Sequence, residues 1–332
     1  MYPFLFAPVL LEKVWGGRRL SALGKQLKAA VGESWEVADL ATTSAGGAGG
    51  QGISSIVTNG PLTGRSLHEL MKLVPLVPAS HPATAYPLLV KFLDAAENLS
   101  VQVHPSPAYA RENPSAALKS ECWYILAAQP EAKIYKGLQP GTTKETFQKA
   151  LTSGKGIADL LVSVPAIVGE CHYLPSGTCH ALGAGALVLE VQTSSDTTFR
   201  IFDWGRTGRE LHIPQALACI DFENPAPAAV TLRAVPREGP IPAGSQITTP
   251  DFQVFVRHIG PEGLDLTTHV GPFTVIAGRG SMVNWLAGNR PISIKAGMSG
   301  IMPILRPAQV RPRLVGEGAT GMTVLFAGLL NP

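Results

Sequence analysis

Cysteine is scarce in this sequence, with four residues among 332 and no CxxC spacing. So few cysteines exclude the disulfide framework of a small secreted protein and are typical of a reducing compartment, so we expect a cytoplasmic protein. No apolar run approaches the roughly 18 residues of a transmembrane helix, which predicts no membrane span. The apolar start, MYPFLFAPVLL, lacks a basic n-region and a small-residue cleavage site, so we interpret it as a first strand.

Charged residues are also few, at 15%, and the net charge is only +3. No basic stretch with interleaved aromatic residues is present, which argues against nucleic-acid binding. By contrast, 45% of the residues are apolar, enough to fill the core of one large domain or of two ordinary ones. Glycine (35) and proline (28) are abundant, which is typical of many turns between short elements.

Short strand-like runs dominate the chain, each rich in Val, Ile, Phe or Tyr and bounded by turn residues. Examples are YPLLVKFLDA, LSVQVHP, ECWYILAA, ALVLEVQ and MTVLFAGLL. One amphipathic helix is predicted, which Thr142 caps, Glu145 closes with a capping box and Gly154 ends. A second helix is predicted from Ser66 to Leu73. Many short strands with few helices favour a mainly β fold, built as a barrel or jelly roll.

The candidate functional residues begin in Leu99-Ser-Val-Gln-Val-His-Pro105. Residues two apart on a strand project to the same face, so Gln102 and His104 are expected to lie side by side. Glu121, at the start of the next strong strand, adds the carboxylate that a divalent cation needs, and a glycine-bearing turn delivers His180. Three or four protein ligands with one open position are typical of a catalytic zinc site.

A single histidine on a strand is more often a core or surface residue than a ligand, and six of the eight histidines show nothing more. These six are left unassigned: His68, His81, His172, His212, His258 and His269. The combination of Gln102-x-His104 with Glu121 and His180 is what distinguishes the candidate metal site from this background.

Several longer motifs support this interpretation. They are Lys13-Val-Trp15-Gly-Gly, Gly32-Glu-Ser-Trp35-Glu36, Leu89-Val-Lys91-Phe-Leu-Asp, Leu99-Ser100-Val-Gln102-Val-His104-Pro105, Lys119-Ser-Glu121-Cys-Trp-Tyr, Gly177-Thr-Cys-His180-Ala-Leu-Gly and Leu189-Glu190-Val-Gln192-Thr-Ser-Ser-Asp196-Thr-Thr-Phe-Arg200. In these motifs and in their order, the sequence resembles the short bacterial form of the type I mannose-6-phosphate isomerases. The resemblance extends through nearly the whole chain.

The resemblance implies two cupin-type jelly-roll β-barrels with a few short helices, and one zinc ion per chain. It implies that Gln102, His104, Glu121 and His180 are the zinc ligands. The implied activity is the interconversion of mannose 6-phosphate and fructose 6-phosphate through an enediol or enediolate, and Arg200 matches the arginine that the family needs for turnover. Six further residues match positions that line the family's pocket: Trp15, Lys91, Ser100, Lys119, Glu190 and Asp196.

Two departures from the family affect details of the predicted site. Fungal and enteric members carry a tyrosine two residues after the last histidine ligand, where this chain has Leu182. They also have a large helical insertion, of which only the stretch from Thr142 to Leu161 remains. The first difference concerns the contacts with the sugar, and the second concerns the lid over the pocket.

The sequence does not decide which residue is the general base. Glu190 is the first candidate because it shares a strand face with Gln192, directed into the barrel, and Asp196 and a zinc-bound water are the others. Glu190 equally suits a carboxylate that only orients Arg200. For the phosphate group, Lys91, Ser100 and Lys119 are the expected partners, from the resemblance more than from spacing.

Two domains are expected. Residues 1–235 are predicted to form the catalytic zinc-binding cupin domain, with a short helical segment at about 142–161. Residues 245–332 are predicted to form a smaller cupin-like barrel without metal. The stretch 225–250, rich in proline, glycine and alanine, is the expected connection.

Two other functions fit parts of the pattern. Two histidines and one carboxylate also suit an iron-dependent oxygenase on a cupin barrel, although the added glutamine and the nearby lysines favour non-redox work on a phosphorylated sugar. A non-catalytic sugar-phosphate sensor is the alternative of a different class, and it has no need of both the ligand set and Arg200. A small-molecule sugar phosphate is thus the expected partner, with no nucleic acid and no membrane, for a monomer or homodimer.

Overall fold

The computed structural model describes residues 2–44, 49–223, 231–232, 246–266, 269–284, 291–304, 312–318 and 320–329. Over these residues the chain is mainly β with a few short helices, which confirms the predicted fold class. None of the helices there is long and apolar enough to cross a bilayer. The longest of them has only ten residues.

Twenty-three strands lie within the described residues, and most are short. The strands before residue 170 are β1 (Phe4–Leu5), β2 (Val9–Leu11), β3 (Glu33–Val37), β4 (Asp39–Leu40), β5 (Ile53–Ser54), β6 (Leu88–Asp94), β7 (Val101–Val103), β8 (Glu121–Ala128), β9 (Lys133–Leu138) and β10 (Leu161–Pro165). The later strands are β11 (Cys171–Leu174), β12 (His180–Leu182), β13 (Ala186–Thr193), β14 (Phe199–Phe202), β15 (Thr231–Leu232), β16 (Gln246–Thr248), β17 (Phe252–Ile259), β18 (Leu264–Asp265), β19 (Gly271–Asn284), β20 (Ile292–Lys295), β21 (Ser299–Met302), β22 (Pro312–Gly316) and β23 (Met322–Leu329).

Four α-helices and two 3-10 turns accompany these strands in the described ranges. The α-helices are α1 (Leu67–Leu73), α2 (Pro107–Glu112), α3 (Lys144–Ser153) and α4 (Ile213–Cys219), and the 3-10 turns are Arg19–Leu23 and Ala158–Leu160. Helix α1 confirms the helix predicted from Ser66, whose side chain forms a capping box with Glu69. Helices α2 and α4 are short and were not predicted.

Helix α3 confirms the amphipathic helix but begins one residue later than predicted. Its N-cap is Thr143, and the capping box is completed by Thr146 rather than by Glu145. Thr142 belongs to the preceding turn, where its backbone N–H donates to the carbonyl oxygen of Gln139 at 3.1 Å. The helix ends as predicted at Gly154, which has a left-handed φ of 66°.

The strands form three large sheets and one small one. The five-stranded sheet has the order β10-β9-β12-β7-β14, and the seven-stranded sheet has the order β15-β11-β8-β13-β6-β3-β2. The nine-stranded sheet contains β1 and β16 to β23, and β4 pairs only with β5. The pairings are antiparallel throughout, which is consistent with jelly-roll barrels. The five- and seven-stranded sheets supply the candidate site.

The apolar start of the chain forms two strands that join different sheets. Phe4 of β1 pairs with Ile301 of β21, so the first strand belongs to the nine-stranded sheet. Val9 of β2 pairs with Trp35 of β3 in the seven-stranded sheet. The predicted connection over 225–250 lies outside the described residues, apart from 231–232 and 246–250.

Strand β3 contacts both parts of the molecule because its side chains alternate between two faces. Glu33 and Trp35 line the cavity described below. Glu36 is buried on the opposite face, where its Oε2 accepts a hydrogen bond from Lys25 Nζ at 2.7 Å. The same Nζ donates to the carbonyl oxygen of Gly297, between β20 and β21, at 2.6 Å. Lys25 therefore links a cavity strand to the nine-stranded sheet.

Removing this lysine should destabilise the fold strongly. In Lys25→Met, Glu36 stays buried without its cation, and breaking a buried pair in this way typically costs about 3–5 kcal/mol. Urea unfolding should therefore show a lower midpoint for the variant. The double variant Lys25→Met, Glu36→Leu should recover much of the loss, because both charges are then absent. An unchanged midpoint in the single variant would contradict the linking role.

Candidate metal centre and the cavity above it

A row of four polar side chains crosses one face of the five-stranded sheet. The row consists, in order, of Lys136, His180, Gln102 and Arg200, each directly opposite the next in the strand register. Directly opposed residues of antiparallel strands project to the same face. Strand pairing therefore places an amine, an imidazole, an amide and a guanidinium side by side, although Gln102 and His180 are 78 positions apart.

A second row crosses the seven-stranded sheet. It consists, in order, of His172, Trp123, Glu190, Lys91 and Trp35. The two rows face each other, since the rings of Trp123 and His180 meet edge to face at 5.4 Å between centroids. Lys136 Nζ also lies 3.2 Å from His172 Nδ1, across the same gap. The candidate site is thus enclosed between two polar rows.

Three side chains of ligand type converge in this gap: His104, Glu121 and His180. Their ligand atoms all lie within 4.8 Å of one another. His104 Nε2 is 3.2 Å from Glu121 Oε2, and His180 Nε2 is 3.2 Å from Glu121 Oε1. All three are buried. One carboxylate between two imidazoles is a donor set that suits a divalent cation such as zinc.

Both imidazoles are oriented by the main chain. His104 Nδ1 lies 2.9 Å from the carbonyl oxygen of Thr197, and His180 Nδ1 lies 2.8 Å from that of Thr178. A carbonyl oxygen only accepts, so each Nδ1 carries a proton, and Nε2 is the ring nitrogen that faces Glu121 and is available to bind a metal. This is the usual arrangement around a histidine that binds a metal.

Gln102 reaches the same group from the neighbouring strand. Its Nε2 is 3.3 Å from His180 Nε2, and its Oε1 accepts a hydrogen bond from Ser100 Oγ at 3.3 Å. A half-turn of the terminal amide exchanges these two atoms. The amide oxygen can thus serve as the fourth ligand without movement of the strand.

Lys119 sets the charge state of the group. Its Nζ contacts the Glu121 carboxylate and lies 2.9 Å from His104 Nε2. Burial alone would raise the pKa of Glu121, but Lys119, then His104 and His180, outweigh it and hold that pKa well below its usual value. Burial, then Lys119, lowers the pKa of His104 to about 3. An ionised carboxylate and a neutral imidazole are the forms that bind metals.

Glu190 is held from two sides by its neighbours in the second row. Trp123 Nε1 donates to its Oε2 at 2.8 Å, and Lys91 Nζ lies 3.1 Å from its Oε1. Lys91 Nζ also lies 3.9 Å from Glu33 and 5.2 Å from the centre of the Trp35 ring. Burial would lower the pKa of Lys91, but Glu190 and then Glu33 raise it. The structure therefore places Glu190 against Lys91 and Trp123.

A cavity of about 450 Å³ opens above the metal group, a volume typical of small-molecule sites. It brings together eight of the residues singled out in the sequence: Trp15, Lys91, Ser100, Gln102, Lys119, Glu190, Asp196 and Arg200. The other three predicted residues, His104, Glu121 and His180, lie beneath it and contact Lys119 or Gln102.

Two of the lining residues lie on β14 and in the turn that leads into it. Arg200, on β14, is 7% exposed and donates through Nη1 to the carbonyl oxygen of Glu210 at 2.8 Å. Asp196 accepts two hydrogen bonds from Ser44, from the backbone N at 2.6 Å and from Oγ at 3.0 Å. Arg200 thus lies within the cavity wall, whereas Asp196 lies at a more exposed edge.

Comparisons with known proteins show the family of this chain. A family model for the phosphomannose isomerase type I catalytic domain matches residues 5–135. The mannose-6-phosphate isomerase of Streptococcus mutans is 32% identical over 312 residues, which are 91% of this chain and 92% of that relative. This chain belongs to the type I mannose-6-phosphate isomerase family.

Two further members of the mannose-6-phosphate isomerase family that resemble this chain come from Bacillus subtilis. The probable mannose-6-phosphate isomerase GmuF of strain 168 is 40% identical over 231 residues, covering 67% of this chain and 70% of that relative. The crystal structure of the mannose 6-phosphate isomerase from Bacillus subtilis matches with a TM-score of 0.80 and 28% identity, covering 99% of this chain and 100% of that one.

Sequence reasoning missed several residues of the cavity. Trp123 was seen only as part of a strand, yet its indole N–H holds Glu190. Glu33 and Trp35 line the cavity on one face of β3, and their spacing of two within the motif Gly32-Glu-Ser-Trp35-Glu36 was the available signal. Arg209 lies on a loop and gave no periodic signal at all.

Proposed function

We propose that the chain is a metal-dependent aldose–ketose isomerase that interconverts mannose 6-phosphate and fructose 6-phosphate through an enediol or enediolate. The observation that carries this proposal is the convergence of Gln102, His104, Glu121 and His180 below a cavity that also contains Glu190 and Arg200. The relatives from Bacillus subtilis and Streptococcus mutans are named as mannose-6-phosphate isomerases, the first as a probable one. Moving a proton between two carbons requires a base and a positive group that stabilises the oxyanion, and the site offers a carboxylate, an arginine and a set of candidate metal ligands.

Zinc, one ion per chain, is the proposed metal. The donor set fits it, because one carboxylate and three neutral ligands leave the ion a net positive charge. When bound, such an ion supplies Lewis-acid stabilisation for the oxygen that becomes negative as a carbon-bound proton is removed. Gln102, His104, Glu121 and His180 would hold it.

Glu190 is the proposed general base. Its carboxylate is buried between Lys91 and Trp123, so it stays fixed in the cavity, where it can take a proton from C1 or C2 and return it to the other carbon. Asp196 is less suited because it lies at a more exposed edge of the cavity than the buried Glu190. Arg200, permanently charged, stabilises the negative charge that develops on the O1–O2 edge.

The remaining predicted residues are proposed to bind the sugar phosphate. Lys91, Ser100 and Lys119 line one region of the cavity and supply cationic and hydroxyl donors. Trp15 is buried in the wall and offers an apolar ring surface, and Asp196 offers an acceptor for a sugar hydroxyl. These contacts would fix the substrate with its reacting carbons next to Glu190.

The proposed division into domains is the one predicted from the sequence. Residues 1–235 would be the catalytic zinc-binding cupin domain, and residues 245–332 a smaller cupin-like barrel without metal. The four cysteines are buried free thiols, which supports the proposed cytoplasmic location. The enzyme is proposed to be a monomer or homodimer.

A coupled assay for exchange between fructose 6-phosphate and mannose 6-phosphate tests the proposal. The purified protein should turn over both sugars, lose activity after chelation and regain it with zinc. Metal analysis of the same preparation should find about one zinc per chain. Activity that survives complete metal removal would refute the metal mechanism, iron with oxygen consumption would favour an oxygenase, and sugar-phosphate binding without turnover would favour a sensor.

A further inference from the structure

The loop after β14 forms a tightly fixed part of the cavity wall. Trp204 has a φ of 55°, a left-handed value that is uncommon for a bulky residue. Its Nε1 donates to the carbonyl oxygen of Leu99 at 2.6 Å, and the backbone N–H of Arg206 donates to that of Asp203 at 3.0 Å. Strained backbone held by several bonds is often found where a loop positions functional groups.

The buried carboxylate of Asp203 binds two arginines of this loop, Arg206 and Arg209, of which only Arg209 lines the cavity. Arg206 Nη2 lies 2.7 Å from Asp203 Oδ1 and 2.7 Å from the carbonyl oxygen of Asn98. Arg209 Nη1 lies 3.1 Å from Asp203 Oδ1 and 3.2 Å from Oδ2. Arg209 lines the cavity, whereas Arg206 and Asp203 are not among the lining residues.

Arg209 therefore presents a positive charge whose carboxylate partner lies outside the cavity. The lysines of the cavity differ in this respect. Lys13 and Lys91 lie 3.3 Å and 3.9 Å from Glu33, which lines the cavity with them. Lys119 contacts Glu121 at the metal group. Among the cationic lining residues, Arg209 is thus the best placed to meet an incoming anion.

A second guanidinium lies close enough to Arg209 to be affected by its charge. Burial, and then Arg209, lower the pKa of Arg200, while Asp203 opposes them. In the described part of the chain, the buried Nε of Arg200 has no hydrogen-bond partner. Two neighbouring like charges with unused donors are unfavourable in the free protein, and a bound dianion relieves that repulsion.

We propose that Arg209 anchors the phosphate group of the substrate. The assignment rests on the proposed function, since it places the reacting carbons at the metal group and the phosphate at the loop that follows β14. Lys91 and Lys119, the phosphate partners expected from the sequence, would then contact the sugar instead, since Lys119 lies at the metal group and Lys91 is held by Glu190 and Glu33. Arg209 and the donors of Arg200 together match the charge and the several acceptor oxygens of a phosphate.

Steady-state kinetics and phosphate binding test this assignment. Arg209→Ala should raise KM for mannose 6-phosphate roughly 10- to 100-fold, the range for losing a hydrogen bond to a charged group, with kcat changed only a few-fold. The dissociation constant of inorganic phosphate, measured by calorimetry, should rise in parallel. Arg209→Lys should restore part of both effects, because it retains the charge without the bidentate geometry.

Arg206→Ala is the matched control, since it removes a guanidinium from the same Asp203 carboxylate outside the cavity lining. It should leave KM and phosphate affinity close to wild type. An Arg209→Ala enzyme with unchanged KM and phosphate affinity would overturn the assignment, even if isomerase activity is intact. A wild-type protein that binds phosphate through Arg209 without isomerising the sugar would instead refute the proposed function and leave the anion site standing.

Discussion

Glu121→Gln is expected to remove bound metal and to reduce isomerase activity by roughly 10³-fold or more. Glu121 is the single carboxylate of the candidate ligand set, and it lies between His104 Nε2 and His180 Nε2 at 3.2 Å from each. Glutamine keeps an oxygen at this position but lacks the negative charge that attracts a divalent cation, so the metal should bind more weakly. Each tenfold loss in rate corresponds to about 1.4 kcal/mol of lost transition-state stabilisation. The change also takes away the carboxylate that Lys119 contacts.

Metal content and activity should be measured on the same preparations of this variant. Glu190→Gln is a suitable comparison because it removes a buried carboxylate from the same cavity without removing a proposed ligand. It should keep about one metal per chain while turnover falls. If Glu121→Gln retained stoichiometric metal and near-normal activity, the metal centre would have to be placed elsewhere.

Arg200→Ala is expected to lower kcat by about 10²–10³-fold while the metal content stays at the wild-type level. Removing one donor that stabilises a developing oxyanion typically has an effect of this size. Arg200 lies directly opposite Gln102 in the strand register, so its guanidinium is next to the ligand set without contacting the carboxylate of Glu121 among the described hydrogen bonds. Its loss should therefore affect catalysis and not metal binding.

The conservative variant separates charge from geometry at this position. Arg200→Lys keeps a cation but not the planar fork of donors, so it should recover only part of the lost rate. Thermal unfolding checks the alternative of a structural role, because Nη1 of Arg200 also binds the Glu210 carbonyl oxygen. Loss of metal together with the arginine would show that Arg200 holds the site together and does not act in turnover.

Much of the secondary structure could be read from the sequence. Apolar runs bounded by turn residues predicted β6, β8, β13 and β23, because a pleated strand with a buried face requires that pattern. Where prediction failed, the competing interactions were local. Thr142 forms part of the turn before helix α3, and Thr143 is the N-cap. Helices α2 and α4 have six and seven residues and lack the Ser66–Glu69 capping box with which the equally short helix α1 begins.

The candidate site was also predicted in part from the sequence. The spacing of two between Gln102 and His104 predicted two neighbouring donors on one strand, and motif order added Glu121 and His180. The structure brings these four side chains together. Their identity as metal ligands remains a prediction that the variants above test.

The sequence by itself determined the strand faces, because side-chain direction alternates with a fixed period along any extended chain. Only the tertiary structure decided which strands lie side by side. That choice brings His180 opposite Gln102 and Glu190 opposite Lys91, and it directs Arg209 into the cavity and Arg206 away from it. Register and loop path depend on packing between distant segments, and no local pattern in the chain encodes them.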